Sequence, residues 1–165
     1  MKTKQDKSDV YGEMTAPSII RIAEHMKKHK KKSFLDIGSG YGLIARGIDE
    51  YFRETGFPVK VTGIEKNLER FEICNKIDVT KKKFRDKYKI VHGDIFDHMN
   101  LVKEADYIFS NSLLFPQTFP EKMVRYINPG TIFVHNTAHS KIENKSKLIL
   151  SSSWAEKNYF RVYVK

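Results

Sequence analysis

Ser33-Phe34-Leu35-Asp36-Ile37-Gly38-Ser39-Gly40-Tyr41-Gly42 decides how this chain is read. A short apolar run is closed by glycines at 38, 40 and 42, and apolar residues at helical spacing follow, Leu43, Ile44, Ile48, Tyr51 and Phe52. The order is strand, tight turn, helix. Upstream, Thr15-Ala16-Pro17 opens a helix that should turn Ile19, Ile20, Ala23 and Met26 to one face. Downstream the order repeats. Strands read over 59–65 and 88–94 are followed by helical stretches from Asn67 and near Asp97, and a strand over 107–111 is followed by a helix over 121–127. Pro129-Gly130 then turns into a strand over 131–135.

Such alternation predicts an α/β fold in which a mostly parallel sheet carries helices on both faces. The end departs from it. Residues 148–150 and 159–164 read as two strands with no room for a helix between them, so they should pair antiparallel through a turn near 155–158. A sheet of seven strands finishing in an antiparallel hairpin would resemble the Rossmann-like layout of class I methyltransferases rather than that of dehydrogenases. Residues 1–14 read as an N-terminal arm and 15–165 as one catalytic domain.

Composition limits the partners and the compartment. At 165 residues the chain suffices for one domain with its own core. Cys74 is the sole cysteine and falls in an apolar helical stretch, which points to a buried thiol in a reducing compartment. No apolar run reaches a membrane-spanning length and the start is charged without an apolar stretch, so the expected location is intracellular, cytoplasm or nucleus, with no membrane partner. Thirty basic against twenty acidic residues leave +10, concentrated at 27–32, 81–89 and 141–147. That field favours non-specific nucleic-acid contact, while 23 lysines to 7 arginines argue against base readout.

Four strand ends carry the chemistry. Glycines at 38, 40 and 42 let a ligand approach the backbone at a helix start, but a dinucleotide fingerprint needs a different third spacing and a P-loop needs Gly-Lys-Ser/Thr. Asp36 disfavours a pyrophosphate and suits a ligand with a cationic amino group, such as S-adenosyl-L-methionine. An ordinary glycine turn is the alternative. Glu65, about 20 residues beyond the glycines, is placed to accept from both ribose hydroxyls. After the third strand Asp94 is placed to accept from an adenine amino group while Ile95 packs on the ring. After the fourth, Ser110-Asn111-Ser112-Leu113-Leu114-Phe115-Pro116 lacks the motif of base-amine methylation and the lysine–carboxylate set of ribose methylation. A neutral amide followed by apolar and aromatic residues suits a narrow lysine channel, and equally a packed core loop. His135 and His139 share no predicted helix face and no third ligand is evident, so no metal site is read. Trp154, Tyr159, Phe160 and Tyr163 read as hairpin packing.

Asp9-Val10-Tyr11-Gly12-Glu13, Phe34 to Gly40 and Ile108 to Phe115 together resemble motifs of the histone lysine methyltransferases without a SET domain, the disruptor-of-telomeric-silencing type and its small relatives. The resemblance runs from about Val10 to Ile132. It implies S-adenosyl-L-methionine as cofactor and a protein lysine as acceptor, with a histone, a nucleosome or another chromatin-associated basic protein as leading substrate. Tyr11 and Glu13 would lie over the methionine end of the cofactor, Glu13 and Asp36 near its amino group. Gly38, Ser39 and Gly40 would line it, Glu65 would hold the ribose, Asp94 and Ile95 the adenine, and Lys66 is a further cofactor-binding candidate. Asn111, counted also among the cofactor-binding residues, would line the acceptor passage with Phe115 and Tyr11 as the catalytic set. The family's paired asparagines are here Asn111 and Ser112, and the following aromatic is Leu113. An RNA or small-molecule methyltransferase on the same fold, or a binding module without activity, are the competing expectations.

Overall fold

The computed structural model describes residues 13–80, 88–153 and 155–165. Helix α1 (Ala16–Lys28) begins where Pro17 occupies the first turn, a place where its missing N–H costs nothing. Its buried stripe is Ser18, Ile19, Ile22, Ala23 and Met26. Ile20, expected on that face, is 46% exposed, because the i, i+3, i+4, i+7 row from Ile19 passes through 22, 23 and 26 and leaves position 20 outside it.

The remaining elements follow the anticipated order: β1 (Ser33–Ile37), α2 (Leu43–Glu54), β2 (Lys60–Glu65), α3 (Leu68–Thr80), β3 (Tyr88–His92), a 3-10 turn (Ile95–Asp97), α4 (Met99–Glu104), β4 (Tyr107–Ser110), α5 (Phe119–Met123), β5 (Ile132–His135), β6 (Ser146–Ser152) and β7 (Ala155–Val164). The strands form one sheet in the order β3-β2-β1-β4-β5-β7-β6. β1 to β5 are mutually parallel, and β7 runs antiparallel to both β5 and β6. This is the Rossmann-like methyltransferase fold, ending in the antiparallel hairpin.

Two boundaries differ from the sequence reading. The hairpin pairs as far as Ser152↔Ala155, so its turn comes before the expected 155–158. Residues 155–158 lie beyond the last β5–β7 pair, His135↔Arg161, and at that protruding end polar residues occupy strand positions without burial. Helix α5 ends at Met123 rather than near 127. The chain continues in tighter turns, with Arg125 N donating to Lys122 O and Tyr126 N to Met123 O, and still brings Ile127 into the core.

Because side chains alternate along a strand, each buried run feeds both faces of the sheet. Phe34, Phe109 and Val134 join Ile22, Met26, Ile48 and Phe52 from α1 and α2 on one side. Their neighbours Leu35, Ile108 and Phe133 join Val102, Phe119 and Met123 from α4 and α5 on the other. Strand order reverses between β1 and β4, since the chain leaves β1 toward β2 and returns to β4 on its opposite side. The loops after these two strands therefore part from one another and open a crevice at the carboxyl edge, the place where open α/β sheets bind ligands.

Candidate active site

The crevice is flanked by Gly38 after β1 and Asn111 after β4, whose preceding residues Ile37 and Ser110 are register partners. Gly38 has φ +78°, a conformation costly for any other L-residue, and a Cβ there would stand 3.3 Å from Phe115 Cζ. The Phe115 ring thus lies against the glycine loop, bringing together a predicted cofactor residue and a predicted acceptor residue. Phe115 is held in turn by edge-on contact with Phe119, ring centroids 4.8 Å apart.

Asp36 is 1% exposed, and its Oδ2 is buried without a hydrogen-bond partner. Burial, and then the nearby Glu65 carboxylate, raise its pKa from 3.8 to about 8. A buried carboxyl oxygen with nothing to bond is costly, and a cationic amino group is the ligand that relieves it. The Ser39 hydroxyl, in a residue 4% exposed, is likewise buried without a partner. Glu65 closes the loop from the β2 side: Gly40 N donates to its Oε2 at 2.7 Å and Asn67 N to its Oε1 at 2.7 Å. Each oxygen keeps a second lone pair, so a diol remains within the capacity of this carboxylate.

Asp94 caps the 3-10 turn, accepting from Phe96 N at 3.0 Å, and pairs through its other oxygen with Lys66 Nζ at 3.0 Å. The Phe96 N–H, ahead of Lys66, holds the Asp94 carboxyl below the usual range although burial opposes it. The same pairing raises the Lys66 pKa. Ile95 is 6% exposed and faces the second core cluster. Glu13 is tied by its backbone to Ser153, donating to Oγ at 3.3 Å and accepting from Ser153 N at 2.8 Å. Tyr11 lies outside the described residues.

The loops after β4 and β5 contain a network the sequence reading missed. Asn136 Oδ1 accepts from the backbone N–H of Ser112 at 2.6 Å, and Asn136 Nδ2 donates to Asn111 Oδ1 at 2.8 Å. The Ser112 N–H is an unambiguous donor, so it fixes which way the Asn136 amide points, and Asn136 then fixes Asn111. Thr137 Oγ1 bonds Ser112 Oγ at 2.7 Å, and Arg161 donates to Thr137 O at 2.7 Å. Asn136 and Thr137 directly follow β5, so the rule that ligand groups follow strand ends would have found them; the residue that stands out there by type is His135. That histidine is fully buried, stacks on Phe133 at 4.9 Å, and has its pKa lowered to about 4, chiefly by burial.

A model of the methyltransferase domain matches residues 28–161. The chain belongs to that family. This methyltransferase is 24% identical over 125 residues to the H3 lysine-79 specific histone-lysine N-methyltransferase of Drosophila melanogaster, an alignment covering 70% of the chain and 6% of that much longer protein. Among solved structures, an RNA methyltransferase from Salinibacter ruber in complex with S-adenosyl-L-homocysteine superposes with a TM-score of 0.66 at 19% identity, covering 90% of each chain. An O-methyltransferase from Bacillus cereus, also with S-adenosyl-L-homocysteine, gives 0.66 at 13%, covering 97% of this chain and 84% of that one. At these identities the likeness is one of fold.

The residues present fit S-adenosyl-L-methionine. The unpartnered Asp36 oxygen would suit its ammonium group, Gly38 and Gly40 would allow close approach, and Glu65 has lone pairs for the ribose, while Ile95 is packed into the second core cluster. The cofactor supplies a methyl group on a sulfonium. Phe115 and Asn111 are the residues of the loop after β4 that would face that methyl.

Proposed function

We propose that this S-adenosyl-L-methionine-dependent methyltransferase modifies a lysine side chain of a basic protein, a histone or another chromatin-associated protein being the leading substrate. The observation that carries this reading is the neutrality of the hydrogen-bonded network at the acceptor loop: Asn111, Ser112, Asn136 and Thr137. An acceptor hydroxyl has to give up its proton to become a strong nucleophile, and none of these four groups serves well as a base. An amine needs only a free lone pair. A lysine entering between Phe115 and the Asn111 amide is desolvated, which lowers its pKa so that its proton passes to water before transfer; the freed lone pair then forms the N–CH3 bond in line as the S–CH3 bond breaks. Asn111, with its amide held by Asn136, gives the incoming nitrogen a fixed polar contact. The motifs at 34–40 and 108–115 and the 24% identity to a histone-lysine enzyme support the same acceptor. Tyr11 and Glu13 are proposed to cover the methionine end of the cofactor.

Methyl transfer from labelled S-adenosyl-L-methionine to core histones, nucleosomes, total RNA and a mixed soluble proteome, offered side by side, tests this directly. Label in protein lysine is the expected result, and label in RNA alone would overturn it while leaving fold and cofactor untouched.

A further inference from the structure

Lysines 27, 28, 30, 31 and 32 lie between the end of α1 and the start of β1, at the amino edge of the parallel strands. Lys165, at the end of β7, reaches the same edge: Gly130 N donates to Lys165 O at 2.8 Å, and Lys31 Nζ donates to Gly130 O at 2.6 Å. Two carboxylates at this edge are already engaged, and among the described residues the exposed Glu24 of α1 forms no ion pair with Lys27 or Lys28. Asp106 accepts from the backbone N–H groups of Lys32 and Ser33, and Glu104 pairs with Lys60 at 2.8 Å. Among the described residues, none of these six lysines forms an ion pair with a carboxylate.

Helix energetics explain part of this pattern. Lys27 and Lys28 lie in the last turn of α1, where cations complement the macrodipole. Lys30 is different. His29 is the C-cap, Lys30 N donates to Lys27 O at 3.0 Å and Lys31 N to Met26 O at 3.0 Å, which is the bonding of a Schellman motif with Lys30 at its left-handed position. Its φ is +54°. Stability alone favours glycine there. A lysine therefore holds the one position in this run where its side chain strains the backbone, and it adds a further charge to the cluster.

The geometry points to this amino-edge lysine surface as a docking site for the phosphate backbone of a nucleic acid, separate from the acceptor crevice. β1 spans five residues, which places the lysines about 15 Å from the glycine loop at its other end. A strand bound there is a tether and not the methyl acceptor, and this holds whether or not the acceptor is lysine. Lysine point charges without arginine forks suit phosphates without base readout. A membrane contact would also draw on exposed apolar side chains, and none of the large exposed hydrophobics falls within 27–33.

The test is fluorescence anisotropy with a labelled mixed-sequence RNA strand of about 20 nucleotides, read as affinity against salt, with vesicles of anionic phospholipid as a second arm. Changing Lys27, Lys28, Lys30 and Lys32 together to Gln should flatten the log–log salt slope by about 3, at ~0.7 for each phosphate no longer neutralised, with cofactor affinity unchanged. Lys30→Gly alone should flatten it by about 0.7 while raising the Tm by about 2 °C. Loss of binding together with a gain in stability is a pairing that a purely structural lysine would not show. A salt slope unaltered in the fourfold variant, binding to vesicles but not RNA, or methylation of the bound RNA itself would each overturn the proposal.

Discussion

Of the five loops at the carboxyl edge of the parallel strands, the three after β1, β2 and β3 are organised around buried or capped carboxylates, Asp36, Glu65 and Asp94. The two after β4 and β5 are organised around neutral amides and hydroxyls, Asn111, Ser112, Asn136 and Thr137. The halves meet where Phe115 touches Gly38. Carboxylates hold a ligand through charge and hydrogen bonds in its ground state, so removing them should appear in cofactor affinity. A neutral network fixes orientation instead, so removing it should appear in the rate of transfer with cofactor affinity kept. Substitutions that mix these two signatures would break the division.

The largest effect should come from Gly38→Arg. Any side chain there meets both the +78° backbone and the Phe115 ring, so affinity for S-adenosyl-L-methionine by calorimetry should fall by about a hundredfold or more. Asp36→Asn should cost about ten- to a hundredfold, the worth of a charge-assisted hydrogen bond, and it should also change the pH dependence. Asp36 titrates near 8 in the free protein but is ionised beside a bound ammonium. Cofactor binding below pH 8 therefore releases a proton, and affinity should rise by up to tenfold per pH unit toward 8. Above that it should fall, as the free α-amino group of the ligand, pKa about 7.7–8.0, loses its charge. The rising limb should vanish in Asp36→Asn. Stability of the cofactor-free protein runs the other way. Its raised folded pKa means that stability declines as pH climbs from about 4 to about 8 and levels off above; the Tm of Asp36→Asn should lack that decline.

On the acceptor side, Asn111→Ala and Asn136→Ala should lower kcat by about ten- to a hundredfold, as misplaced acceptors do, with cofactor Kd changed less than about twofold. Asn136→Asp sharpens the point. The aspartate still accepts from Ser112 N–H but turns an oxygen toward Asn111 Oδ1, so Asn111 has to flip or withdraw. A kcat as low as that of the alanine variant would show that orientation of Asn111, and not mere filling of space, sets the rate. Equal loss of cofactor binding in Asn111→Ala and Gly38→Arg would end the assignment of Asn111 to the acceptor.

Legibility in the sequence follows the same division. The placement of Gly38, Glu65 and Asp94 at the carboxyl edge was legible because each closes a short strand within one strand–turn–helix unit. Asn136 follows a strand end too, but its tie to Ser112 and Asn111, 24 and 25 residues away, is made by the β4–β5 register and not by spacing within one unit. Ile20 failed for a local reason, an apolar residue on the wrong side of a helical stripe. The turn predicted at 155–158 failed because polar residues read as a loop where β7 extends past β5 and pairs with β6 alone.

The smallest effect should come from Lys66, and it separates two roles that Asp94 combines. Lys66 is the exposed half of its pair, with 79% of its side chain in solvent against 33% for Asp94. Such pairs contribute little because water and salt already screen them. Lys66→Ala should therefore change cofactor Kd by no more than about twofold, and that change should disappear at high salt. Asp94→Ala should cost more, since it also removes the cap on Phe96 N that sets the turn holding Ile95. If the two substitutions proved equally harmful at high salt, Lys66 itself would have to contact the cofactor.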